Sequence, residues 1–216
     1  MGAAARAKAE RRAQKAAFEA LNLTFWHGGA PGYSPGDEIL SPARLGGGSV
    51  NVPMVPGYGQ HPGREDRVYL TTDRQLARAY GWRGARRPEG TGWLYRVEPV
   101  GVPEVDADYA SGAHPHLSFQ CAVITVIAVE ESPVVMTKID ATAAAARYMT
   151  WNDGRPMYDP QGYFIPSVET QASGLTRVDA RQLWAPWTPY AEVVRDTGRA
   201  QGYLEQQYRA GRPRPR

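Results

Sequence analysis

A chain of 216 residues, 42% hydrophobic with six Trp and twelve Tyr, is long and apolar enough for one cored domain with appendages. Its single cysteine, Cys121, rules out an internal disulfide and a thiolate metal cluster, and no run of 18 apolar residues offers a membrane-spanning helix. The net charge of +3 is concentrated in basic arms at residues 1–20 and 209–216, leaving an acidic body that argues against a nucleic-acid channel within it.

Residues 2–20, rich in Ala, Arg, Lys and Glu, predict a helical arm with a modest apolar face around Phe18. Leu23 to Trp26 favour a strand that closes on His27-Gly28-Gly29. Residues 29–66 form a Gly/Pro-rich excursion of the kind that shapes ligand sites. A strand at 68–72 runs directly into a helix whose capping pair is read as Thr72 and Gln75, with Leu76, Ala79 and Tyr80 on one face.

After a Gly/Arg-rich turn at 81–92, a strand at 93–98 leads to the acidic stretch Glu104-Val105-Asp106. Residues 121–129 are the most hydrophobic run and predict a central strand, with Val134 to Met136 as a further edge. Cys121 beside that run reads as a buried small residue. Beyond residue 137, a helix is expected at 141–149, an aromatic loop at 151–175, and short helices at 188–196 and 199–210. Strands with one clear intervening helix indicate α+β and not regular βαβ repeats.

The first residues of chemical interest are His27, Tyr69 and an acid near position 106. Each has an ordinary explanation: a histidine packed at a strand end, a tyrosine in a core strand, an acidic surface loop. Together they are the parts that clamp a ribose and stabilise a positive charge beside it. His61, His114 and His116 form no metal-binding pattern, and no metal is expected. The glycine clusters lack the Gly-x-Gly-x-x-Gly turn of a dinucleotide-binding dehydrogenase.

The ordered motifs Phe25-Trp26-His27-Gly28, Arg67-Val68-Tyr69-Leu70-Thr71 and Gly92 to Gly101 resemble the ADP-ribosyltransferase superfamily of the histidine-tyrosine-acid type. The resemblance covers roughly residues 22–136 and is closest to the rifamycin-inactivating ADP-ribosyltransferases and related bacterial proteins. It implies a split antiparallel β-sheet core, with peripheral helices and a C-terminal extension. It implies NAD as a consumed substrate, with His27 on the ribose and Gly28 holding the carboxamide through its backbone. Tyr69 would stack on nicotinamide, Tyr80 and Phe119 would wall the pocket, and Asp106 would be the catalytic acid. Asp108 and Glu104 are the alternatives one register step away.

The organisation expected on this basis is a basic helical arm (1–20), a catalytic core (21–137), an elaboration packed on it (138–208) and a flexible basic tail (209–216). The arm, the insertion at 81–92 and the long C-terminal extension depart from the compact drug-modifying pattern. The acceptor therefore stays open among protein, nucleic acid and small molecule, with NAD hydrolysis as a further outcome. A non-catalytic binding module with polyanion-contacting arms is the reading from another class. A monomer without membrane attachment is expected in the cytoplasm, although a toxin delivered without a signal peptide would look the same.

Overall fold

The computed structural model describes residues 3–46, 64–83, 88–106 and 114–215. The described residues divide into two compact units, one up to residue 136 and one from residue 137 on.

The first unit opens with helix α1 (Ala3–Ala20), followed by strand β1 (Phe25–Gly29), strand β2 (Glu38–Leu40) and a 3-10 turn at Pro42–Leu45. Strand β3 (Val68–Thr71) feeds helix α2 (Arg74–Arg83), and strands β4 (Trp93–Pro99), β5 (Glu104–Val105), β6 (Ser118–Cys121) and β7 (Val123–Glu131) follow. The seven strands form one antiparallel sheet in the order β2-β7-β4-β1-β3-β6-β5. The α+β expectation therefore holds.

Every residue of β1 has a partner in β4, from Phe25↔Val97 to Gly29↔Trp93. Toward β3, β1 has the single register pair Trp26↔Thr71. The sheet is thus two paired halves, β2-β7-β4-β1 and β3-β6-β5, joined at one seam.

Side-chain alternation gives the sheet two different faces. Phe25, Leu70, Tyr95, Val97, Phe119 and Ile124 form one apolar layer, and Phe18 of α1 packs against it. The Phe18 and Phe25 rings stack at 5.8 Å, and Phe119 meets Phe25 edge-on at 5.4 Å. On the opposite face Trp26 and Leu94 pack with Ala77 and Trp82 of α2 and with Val134.

Several local readings change. Asp73, not Thr72, caps α2: its Oδ1 accepts from Gln75 N–H at 2.7 Å and Leu76 N–H at 3.1 Å. Thr72 instead donates its hydroxyl to His116 O. Val134 to Met136 form no strand. Val134 is buried beside α2 and donates its N–H to Gly92 O. Strands β2 and β5 arise where the sequence promised only loop and acid.

The second unit contains α3 (Lys138–Ala146), α4 (Val168–Ala172), α5 (Arg177–Leu183), α6 (Tyr190–Arg195) and α7 (Thr197–Arg209). Trp151, Met157, Tyr158, Phe164, Leu183 and Trp184 belong to a core of its own. Within the stretch expected as aromatic loop, Ser167 caps α4, and Thr176 and Asp179 form a reciprocal capping box on α5 just beyond it.

Two arginines of the basic tail are bonded within this unit. Arg212 donates to the buried Asp179 carboxylate at 2.8 Å and to Gly174 O at 2.7 Å. Arg214 pairs with Glu205 and lies over the Tyr208 ring. Burial works to raise the Asp179 carboxyl, but the Thr176 hydroxyl and N–H and the Arg212 guanidinium outweigh it and hold it below the ordinary range. A depressed folded value gives stability that is complete above the ordinary carboxylate range and is lost as pH falls through the folded value. Asp179→Asn is therefore expected to destabilise this unit by about 2–3 kcal/mol at neutral pH, less than a fully buried pair because Arg212 is partly exposed. Thermal melts of variant and wild type should converge as pH falls through that depressed value.

Candidate functional site

The site expected from the sequence lies along the seam. His27 belongs to β1, and its position opposite Tyr95 puts its ring on the face with Phe25 and Leu70. The His27 and Tyr95 rings stack at 6.5 Å. His27 Nδ1 lies 2.7 Å from the backbone oxygen of Tyr69 on β3, so the imidazole bridges the seam where the ladder stops. A carbonyl oxygen only accepts, so Nδ1 carries the proton. In the neutral ring, Nε2 is then the acceptor nitrogen.

Tyr69 alternates with Val68 and Leu70, which places its side chain on the face opposite that core layer. Its hydroxyl accepts from Arg64 N–H at 2.9 Å, a contact that orients the ring from outside the strand.

Asp106 directly follows β5, and its N–H donates to Ser118 O at 3.0 Å. Ser118 Oγ donates to Asp106 Oδ2 at 2.8 Å, and the acid is only 5% exposed. Opposed residues in an antiparallel pair share a face. Thr71↔Ser118 and Trp26↔Thr71 therefore set Asp106, Ser118, Thr71 and Trp26 in one row across the sheet. Tyr69 stands on that same face, two residues from Thr71. The structure brings Tyr69 and Asp106 to one face. His27 joins from the other face through its bond at the seam.

The alternative acids separate by environment. Glu104 receives Arg64 at 3.1 Å, Arg67 at 3.0 Å and the Gln120 amide at 3.4 Å, so its charge is engaged by two guanidinium groups. Asp108 lies outside the described residues, as do His61 and most of the glycine-rich loop expected to border the site. Asp106 differs from Glu104 in accepting from a neutral hydroxyl, that of Ser118.

Gly28 has a packing reason to be glycine. A Cβ there would sit 1.8 Å from Ala77 O and 2.3 Å from Gly81 N, so α2 rests directly on the strand. Tyr80 is 46% exposed on α2, next to Gly81. Phe119 does not line a pocket with Tyr69. It is 2% exposed and buried among Phe18, Phe25 and Leu70 on the opposite face. Its alternation with Ser118 and Gln120 was the signal that distinguishes the two faces of β6.

Two residues near the site were not foreseen. Ser118 reaches Asp106 only through strand pairing, which has no local sequence mark. Arg64 reaches Tyr69 by a backbone contact, which residue type does not encode. Cys121 is buried and donates to Val123 O, and burial pushes its thiol up to about 11, so it is not a reactive thiolate near neutral pH.

Among the described residues no group of three or more His, Cys, Asp or Glu could hold a metal ion, and no helix is long and apolar enough to cross a membrane. No protein-family model matches this sequence, and no curated protein matches it.

Proposed function

We propose that the protein is a mono-ADP-ribosyltransferase that cleaves NAD to nicotinamide and transfers ADP-ribose to an acceptor. The observation that carries this reading is the seam. His27 is bonded to the Tyr69 backbone where β1 and β3 part, and Tyr69 shares a sheet face with the buried Asp106.

In this mechanism the bond between the ribose C1′ and the nicotinamide nitrogen breaks, and its electron pair leaves with nicotinamide. The leaving nitrogen thereby loses its positive charge, and oxocarbenium character develops on the ribose. Asp106 stabilises that charge, and Ser118 holds its carboxylate in place. His27 accepts a ribose hydroxyl at Nε2 while Nδ1 keeps the ring anchored. The backbone at Gly28 holds the carboxamide, and the Tyr69 and Tyr80 rings flank the nicotinamide. An acceptor oxygen or nitrogen then attacks C1′ and gives up its proton to water. The rate comes from positioning and fixed charge, without a covalent enzyme intermediate.

The acceptor is a protein, a nucleic acid or a small molecule such as a rifamycin-like drug. Labelled NAD followed into separated pools of each distinguishes them, and water as acceptor gives free ADP-ribose. The competing reading, a binding module with polyanion-contacting arms, is weakened at the C-terminus because Arg212 and Arg214 are engaged within their own unit.

The full chain is expected to release nicotinamide from NAD, and His27→Ala and Tyr69→Ala each to suppress that release by on the order of 10²-fold. Chromatographic detection of nicotinamide is the measurement. Equal turnover in both variants and in wild type would remove the assigned site. No turnover by folded wild type across the acceptor panel would favour the binding module.

A further inference from the structure

We infer that Gly29 is a positioning residue for His27, a role that rests on reading His27 as the ribose-binding group. The two glycines that follow the histidine are glycine for different reasons. A side chain at Gly28 would collide with the backbone of α2. At Gly29 the three nearest atoms to an added Cβ all belong to one side chain: His27 Nε2 at 2.3 Å, Cδ2 at 2.8 Å and Cε1 at 3.5 Å.

Residues 27 and 29 point to the same face of β1, being two apart on a strand. The imidazole therefore folds along the strand and lies over position 29, which is buried. Gly29 has no left-handed backbone angle and continues the β4 ladder opposite Trp93, so the backbone itself makes no demand for glycine. The demand comes from the ring.

A methyl group at position 29 would have to move Nε2 by about an ångström to reach ordinary contact. The ring has no freedom to give way without loss. Its opposite nitrogen, Nδ1, is tied to Tyr69 O at 2.7 Å, and its face stacks on Tyr95. Moving Nε2 thus strains the bond that fixes the tautomer and carries the acceptor nitrogen away from its place. Gly29 sets both the position and the protonation pattern of His27 while touching no substrate.

The test uses Gly29→Ala in the full chain. Nitrogen-proton correlation spectra of wild type should show neutral His27 protonated at Nδ1, and that pattern should be lost in the variant. Nicotinamide release should fall by on the order of 10²-fold. A variant with the wild-type tautomer and wild-type turnover overturns the inference.

Because Gly29→Ala can also weaken the fold, its effect on thermal stability is measured again in a His27→Ala background, where the ring is absent. A destabilisation that disappears there assigns the effect to the ring. The same destabilisation in both backgrounds assigns the glycine to the strand and overturns the inference. If wild type releases no nicotinamide, the enzymatic reading fails on its own account, and the spectra and the stability cycle still decide the role of Gly29.

Discussion

Gly28→Ala is expected to destabilise the sheet unit by roughly 4 kcal/mol or to prevent its folding. The added carbon would lie 1.8 Å from Ala77 O and 2.3 Å from Gly81 N. Both are backbone atoms of α2, which side-chain rotation cannot move. Relief requires lifting the helix from β1. That in turn separates Ala77 from Leu94 and Trp26, and it strains the ion pairs that Arg74 and Arg78 make with Glu131 on β7. The measurement is a denaturant or thermal transition followed through near-ultraviolet signals of Trp26, Trp82 and Trp93. Gly81→Ala is the informative contrast. Its Cβ would meet Trp93 O at 3.1 Å and a Val134 methyl at 3.2 Å, which a shift of a few tenths of an ångström relieves, so a much smaller loss is expected. Wild-type stability in Gly28→Ala would show that α2 does not bear on β1 as described.

Asp106→Asn is expected to leave the fold intact and to lower nicotinamide release by about 10²–10³-fold. The substitution keeps the shape and the oxygen that accepts from Ser118 Oγ, and it removes the charge. The Ser118 contact would therefore survive it. Ser118→Ala should give a smaller loss, because the charge remains and only its orientation is loosened. Glu104→Gln should keep turnover within several-fold, since its carboxylate serves Arg64 and Arg67. Full activity in Asp106→Asn with none in Asp108→Asn would move the catalytic acid by one register step and retain the mechanism. Full activity in both would remove the acid from this segment.

The sheet was readable where strands carry a hydrophobic signature of their own. Val68 to Thr71, Trp93 to Pro99 and Val123 to Glu131 are apolar or alternating runs, and each is a strand. Three-residue β2 and two-residue β5 are too short for any period and owe their existence to their neighbours, β7 and β6. The apolar run Val134 to Met136 shows the converse. Burial beside α2 demands the same side chains as an edge strand, so composition does not separate the two.

In the second unit, α4 and α5 span five and seven residues, less than a helical period needs to declare itself. Their caps were nevertheless present in the sequence as Ser167 and as Thr176 with Asp179. At the site, chain order suggested His27 and Tyr69 as neighbours, and the bond between Nδ1 and Tyr69 O is a contact of backbone with side chain that residue types do not foretell. The facing of Phe119 was legible from alternation alone, since Ser118 and Gln120 mark the other side of β6.

The strand order has a consequence for how the sheet is made. β1 is the first strand in the chain and the fourth of seven across the sheet, and its full partner is β4. β2 waits longer still, because Leu40 pairs with Val123. Such distant pairings give a high contact order, for which closing the intervening chain is the slow step. During synthesis, Phe25 to Leu40 leave the ribosome well before the strands that cover them. In that interval the charged arm that precedes them is the local source of solubility for an otherwise bare aromatic strand.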